Sequence, residues 1–229
     1  MKYVFPAPTV PAVPISGTES LFPVHRIYCV ARNYAEHARE MGFEPTRDSP
    51  FFFTKPADAV VPDGATIPYA LATENLHHEI ELVVAIGKGG VEIAADVALE
   101  HVYGYAVGLD MTRRDLQLAA RDKGRPWDAA KAFDDSAPIT AIRRSTEIGH
   151  PRSGAIRLAV NGVTRQNADL KDLLWSVSEL VAELSKLFSL RAGDLLFTGT
   201  PAGVGPVQRG DELHGAIDGV GEITLRIAS

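Results

Sequence analysis

The chain has 229 residues, 45% hydrophobic and 23% charged, which excludes an intrinsically disordered chain and leaves room for a sizeable core. A formal net charge of −6 with no basic block excludes the electrostatic footprint of nucleic-acid binding, so an anionic ligand needs a metal or a local Arg/Lys cluster to attract it. The single cysteine, Cys29, excludes an intramolecular disulfide and points to a reducing compartment, the cytoplasm.

Residues 1–23 read as an N-terminal extended segment packing on the main domain. Pro6, Pro8, Pro11 and Pro14 punctuate it, with an edge strand over 10–15. It lacks the helical apolar region of a signal peptide, and no stretch approaches the length of a membrane span, so no membrane partner is expected. The main domain is expected over 24–229. It opens with a strand over 24–30, in which Cys29 reads as a small core residue. The period turns helical over 32–41, with Asn33 able to cap and Gly42 to stop the helix. His37 and Glu40 share one face of it at i, i+3. A carboxylate beside an imidazole orients the ring and raises its basicity, as a general base for water requires; the alternative is a surface ion pair.

After a short strand at 51–56 and a Pro62-Asp63-Gly64 turn comes a long strand over 76–87. Ile80, Leu82, Val84 and Ile86 alternate with Glu79, Glu81, Val83 and Ala85. Two carboxylates on one face of a buried strand are costly unless a positive charge sits between them, and a hard divalent cation supplies it; a solvated acidic edge is the alternative. A second apolar strand over 102–109 ends at Asp110, which completes an all-oxygen triad or caps the following helix. That helix is expected over 112–123, with Thr112 as cap, and carries Arg114 and Gln117 on one face, suited to a substrate carboxylate or to solvent. Lys131 falls in a loop; pointing inward, it would stabilise an oxyanion or enolate. A hairpin turns at Asn161-Gly162, the strongest helix covers 173–187, and two short strands flank 219–221. Between them, Thr198-Gly199-Thr200-Pro201-Ala202-Gly203-Val204-Gly205 follows a strand. It matches neither a P-loop nor GxGxxG, but can offer N–H groups and the Thr200 hydroxyl to a small anion. Many short strands and few helices, without βαβ alternation, give a β-rich α+β fold.

Together, Tyr28 to Tyr34, His37-x-x-Glu40, His78-Glu79-x-Glu81, Gly108 to Thr112, Arg114-Asp115-x-Gln117, Lys131 and the 198–205 loop resemble the fumarylacetoacetate hydrolase (FAH) superfamily, in its acylpyruvase branch. The match runs from about residue 24 to the C-terminus, with Ala31 standing where relatives usually carry glycine. The resemblance implies a mixed β-roll or sandwich with a few short helices, a lid helix and a homodimer. It implies Mg2+ or Mn2+, with Ca2+ able to take its place, held by Glu79, Glu81 and Asp110. It further implies His37, Glu40 and Lys131 as catalytic residues. Arg32, Arg114, Gln117 and Thr200 would bind a small dicarboxylic 2-oxo acid. The implied reaction is hydrolysis of the C–C bond of a 2,4-dioxo acid, such as fumarylpyruvate in gentisate breakdown. The alternatives are an oxaloacetate decarboxylase or tautomerase of the same superfamily and, behind both, a non-catalytic metal-stabilised binding protein.

Overall fold

The computed structural model describes residues 3–44 and 47–229; residues 1 and 2 of the N-terminal segment lie outside the described residues. The stretch expected as one strand over 76–87 is two, Leu76–His78 and Ile80–Ile86, broken at Glu79. The break lets the two halves join different sheets. Leu76–His78 pairs with Thr112–Arg113 and Gly205–Pro206. Ile80–Ile86 lies inside an eight-stranded sheet, antiparallel to Leu195–Phe197 on one side and Val102–Leu109 on the other. Ile27–Ala31 and then Phe51–Lys55 continue this sheet beyond Leu195–Phe197. Ala137–Ile139 and Val60–Pro62 continue it at the other end.

Alternation assigns the two faces. Ile80, Leu82, Val84 and Ile86 join one core cluster, Val83 and Ala85 the other. The first face packs on a five-stranded sheet through Ile156, Leu158, Leu213, Ile223 and Leu225. The hairpin of that sheet turns at Asn161 and Gly162, both at positive φ (50° and 77°), as a type I′ turn requires. The second face is covered by an N-terminal hairpin, Ala12–Pro14 with Leu21–Pro23, whose Val13 and Phe22 reach Val83 and Phe197. Cys29 is a core residue there and carries no disulfide.

The helices are short, and their starts differ from expectation. Ala35–Glu40 is preceded by Tyr34, not capped by Asn33. The Asn33 amide instead donates to the carbonyls of Trp175 and Thr198 and accepts from the Trp175 N–H. That pinning holds 173–175 out of the last helix, which begins at Val177 behind a Ser176–Glu179 capping box. The helix expected over 112–123 is Arg114–Asp122, because Thr112 pairs with His77 and its hydroxyl donates to the Asp110 carbonyl. Lys131 closes a four-residue helix, Asp128–Lys131, where a loop was expected. Among the described residues no helix is long and apolar enough to cross a membrane.

Candidate active site

Glu79 stands at the strand break and Glu81 two residues on. Pairing with Val102–Leu109 sets Glu81 opposite Gly108, and the Asp110 N–H donates to the Glu79 carbonyl at 2.8 Å. The side chains of Glu79, Glu81 and Asp110 therefore converge. All three are buried, with ligand oxygens within 4.8 Å of one another.

Cations surround two of the three. Lys131 Nζ donates to Glu79 Oε2 at 2.8 Å and to Asp110 Oδ2 at 2.7 Å. Arg114 pairs with the other Glu79 oxygen and donates to Gln117 Oε1. Lys55 Nζ lies 2.8 Å from Asp110 Oδ1, in a direction that makes no hydrogen bond. Its protons go to the carbonyls of Met111 and Lys131. Glu81 has no cationic side-chain partner among the described residues; it accepts only the Gly199 N–H, at 2.7 Å. The electrostatics follow this asymmetry. Burial disfavours the charged form of Glu79, but Lys131 and Arg114 outweigh it and hold the carboxyl well below its usual range. Burial opposes the charge on Lys131 too, yet Asp110 and Glu79 hold its pKa above the ordinary value. Glu81 is pushed well up, by burial first and then by the charges of Asp110 and Glu79. An all-oxygen donor set with one uncompensated carboxylate and an Asp110 oxygen without a hydrogen bond fits a hard divalent cation.

Beside this centre, His37 Nδ1 lies 3.0 Å from Glu40 Oε2, and His37 is only 7% exposed. The carboxylate fixes the proton on Nδ1 and leaves Nε2 as the basic nitrogen. Burial disfavours ionised Glu40, but the His37 ring and the Gly203 N–H, 3.0 Å from Oε1, pull its carboxyl below the usual range.

The glycine-rich loop thus works through its backbone. Gly199 holds Glu81 and Gly203 holds Glu40. Gly199 has φ +94°, and a Cβ there would come 2.8 Å from the Asn33 Cβ. Gly203 has φ +93°, and its Cβ would lie 2.0 Å from the Arg165 carbonyl oxygen. Neither position accommodates a side chain.

A cavity of about 510 Å³, including space open to solvent, gathers Arg32, His37, Glu79, Glu81, Asp110, Arg114, Gln117, Lys131 and Thr200 in its lining. Glu40 stands behind His37. Arg114, Gln117 and Lys131 are buried, whereas Arg32 is exposed at the mouth. The Thr200 hydroxyl donates to the Ile80 carbonyl and accepts from Gln166 Nε2, so its proton is committed and it can only accept from a ligand. His77 receives Arg114 Nε at 3.4 Å, and His78 Nδ1 lies 3.1 Å from Gln166 Oε1; neither histidine joins the carboxylates.

Three residues of this framework escape a reading of the sequence. Lys55 shows only as the charge that ends an apolar strand before Pro56. Asn33 has the pattern of a helix cap. Gln166 gives no signal, since its partners lie 34 residues and more away in the chain.

A family model described as fumarylacetoacetate (FAA) hydrolase C-terminal matches residues 26–228. A fumarylpyruvate hydrolase from Ralstonia sp is 48% identical over 177 residues, covering 77% of this chain and 92% of the relative. The human mitochondrial oxaloacetate tautomerase FAHD1 is 40% identical over 201 residues, covering 88% and 90%. The crystal structure of a Pseudomonas aeruginosa fumarylpyruvate hydrolase with Mn2+ and pyruvate superimposes with a TM-score of 0.96, at 57% identity and 99% coverage of each chain.

Proposed function

The chain belongs to the fumarylacetoacetate hydrolase family, and from that premise we propose that it is a metal-dependent hydrolase cleaving the C3–C4 bond of an acylpyruvate, fumarylpyruvate above all, to fumarate and pyruvate. The observation that carries this reading is the convergence of Glu79, Glu81 and Asp110 in the cavity that His37 lines, with Glu40 behind the imidazole.

Glu79, Glu81 and Asp110 would hold Mg2+ or Mn2+, which supplies Lewis-acid polarisation to the 2-oxo acid end of the substrate. His37 Nε2 takes a proton from water, and the hydroxide oxygen bonds to C4. The C3–C4 bond breaks, and its electron pair remains on the pyruvate half as an enolate. Lys131 Nζ sits beside the triad to neutralise that charge. The proton on His37 is returned to C3, giving pyruvate. Glu40 keeps its proton inventory unchanged and orients the ring. Arg114 and Gln117, joined to each other and to Glu79, hold the substrate carboxylate. Thr200 accepts a hydrogen bond from bound substrate or water.

The same reading extends to a homodimer in the cytoplasm, engaged in gentisate breakdown. The exposed Tyr3, Val4, Phe5 and Val10 support a partner surface, and buried, unpaired Cys29 supports a reducing compartment.

The test follows loss of the enol absorbance of fumarylpyruvate and acetylpyruvate, with oxaloacetate alongside, by the metal-stripped protein with and without added Mn2+. Metal-dependent release of fumarate and pyruvate is expected. Turnover of oxaloacetate alone would replace the reading by a tautomerase or decarboxylase, and turnover of nothing by a binding protein.

A further inference from the structure

The mouth of the cavity carries positive charge that the reaction centre does not use. Arg114, Gln117, Leu118 and Arg121 all line the cavity. At i, i+3, i+4 and i+7 they form one face of helix Arg114–Asp122. Arg114 is at the deep end, against Glu79, and Arg121 at the shallow end. Seven residues of helix rise about 10 Å. A seven-carbon 2,4-dioxo acid lying along this face, with an N–H···O contact of about 3 Å at its far end, covers a comparable span.

Arg32 meets Arg121 at that end. The Arg32 guanidinium carbon is 3.9 Å from the Phe43 ring centroid, and that of Arg121 is 5.9 Å from the same ring. Arg32 has no carboxylate partner among the described residues. Its backbone sits at φ +59°, a strained conformation for a residue with a side chain, and such strain collects at functional sites. Among the described residues, Arg121 has one carboxylate partner, its neighbour Asp122 at 3.1 Å. That pair is solvent-exposed and readily exchanged for a ligand carboxylate. Two guanidinium groups at the entrance of a chain with net charge −6 form the local attractor that an anionic substrate needs.

We propose that Arg121, together with Arg32 at the same Phe43 ring, receives the terminal carboxylate of a dicarboxylic acylpyruvate. The pair sets the preference for acyl chains that end in an anionic group. The proposal rests on the acylpyruvate reading above and adds to it the determinant of substrate choice.

The experiment compares fumarylpyruvate, which has the distal carboxylate, with acetylpyruvate, which lacks it. Wild type, Arg121→Met, Arg121→Lys and Arg32→Met are assayed with saturating Mn2+. Arg121→Met is expected to lose about tenfold or more in kcat/KM on fumarylpyruvate, chiefly through KM, and less than twofold on acetylpyruvate. Arg121→Lys recovers part of the loss, and Arg32→Met loses more on fumarylpyruvate than on acetylpyruvate. Equal losses on both substrates, or no loss on either, would overturn the proposal and leave these arginines a packing role around Phe43. Failure of the wild type on both substrates would instead remove the acylpyruvate reading itself, and the proposal with it.

Discussion

The Gly203 N–H donates to Glu40 Oε1 at 3.0 Å, so the glycine-rich loop grips the carboxylate that orients His37. The same loop holds Glu81 through the Gly199 N–H. His37, through Glu40, and the triad, through Glu81, are thereby held by one segment. Gly203→Ala would force a Cβ to within 2.0 Å of the Arg165 carbonyl oxygen at φ +93°, displacing the loop. We expect kcat to fall about 100-fold, the scale of a 1 Å misplacement of catalytic groups. Gly210→Ala is the control: φ is +85° there too, but the nearest atom to a built Cβ is the Ser229 hydroxyl at 4.0 Å, and kcat should hold.

Glu40 predicts a pH dependence with a defined sign. Burial disfavours its charge, but the hydrogen bonds from His37 and Gly203 draw its carboxyl below the ordinary glutamate value. A depressed folded-state pKa contributes stability that is present above the unfolded value and lost as pH falls through the folded one. Thermal unfolding of wild type and Glu40→Gln should therefore differ at pH 6, with wild type the more stable. The gap should close as pH drops below 4.5. A gap that widened in acid would contradict this assignment.

Lys55 is buried and lies against Asp110 from the side away from Lys131. Replacing it with methionine keeps the length of the side chain. It leaves Asp110 Oδ1 without its cation and removes the Lys55 donor from the Met111 and Lys131 carbonyls, of which only the Lys131 carbonyl keeps another, the Ser136 hydroxyl at 3.2 Å. Breaking a buried pair from one side costs about 3–5 kcal/mol, a fall in Tm of roughly 10 °C for a chain of this size, measurable by calorimetry. An unchanged Tm would show that Asp110 does not depend on Lys55.

Metal loading should appear in stability as well as turnover. Mn2+ at 100 times its Kd should raise the unfolding free energy of the stripped protein by about 2.7 kcal/mol. Glu81→Gln should abolish that increment, because Glu81 is the triad carboxylate without a cationic side chain beside it. A full increment in Glu81→Gln would place the ion elsewhere.

The alternation of Ile80 to Ile86 already assigns both faces of the central strand in the sequence, since a period of two survives any tertiary context. The β-rich α+β architecture follows from strand density and turn signals, and the Asn161-Gly162 hairpin from its dipeptide. The break at Glu79 is not legible: an unbroken apolar-acidic pattern gives no sign that its two halves pair in different sheets. Helix starts shift where a side chain has a distant partner, as Asn33 does with Trp175 and Thr198. In the site, residue types and spacings single out Glu79, Glu81, Asp110, His37 and Lys131, and the fold brings them around one cavity. The structural task of Gly199 and Gly203 is hidden, because their backbone N–H groups meet carboxylates 118 and 163 residues away in the chain.

The central claim is that His37 activates water beside a divalent cation held by the triad. The most direct measurement is the rate of fumarate release from fumarylpyruvate by wild type and His37→Ala at saturating Mn2+, with Mn2+ affinity determined in parallel. The account predicts a loss of about 100-fold to 10,000-fold in kcat with Mn2+ affinity unchanged. Release of fumarate by His37→Ala at the wild-type rate would contradict it.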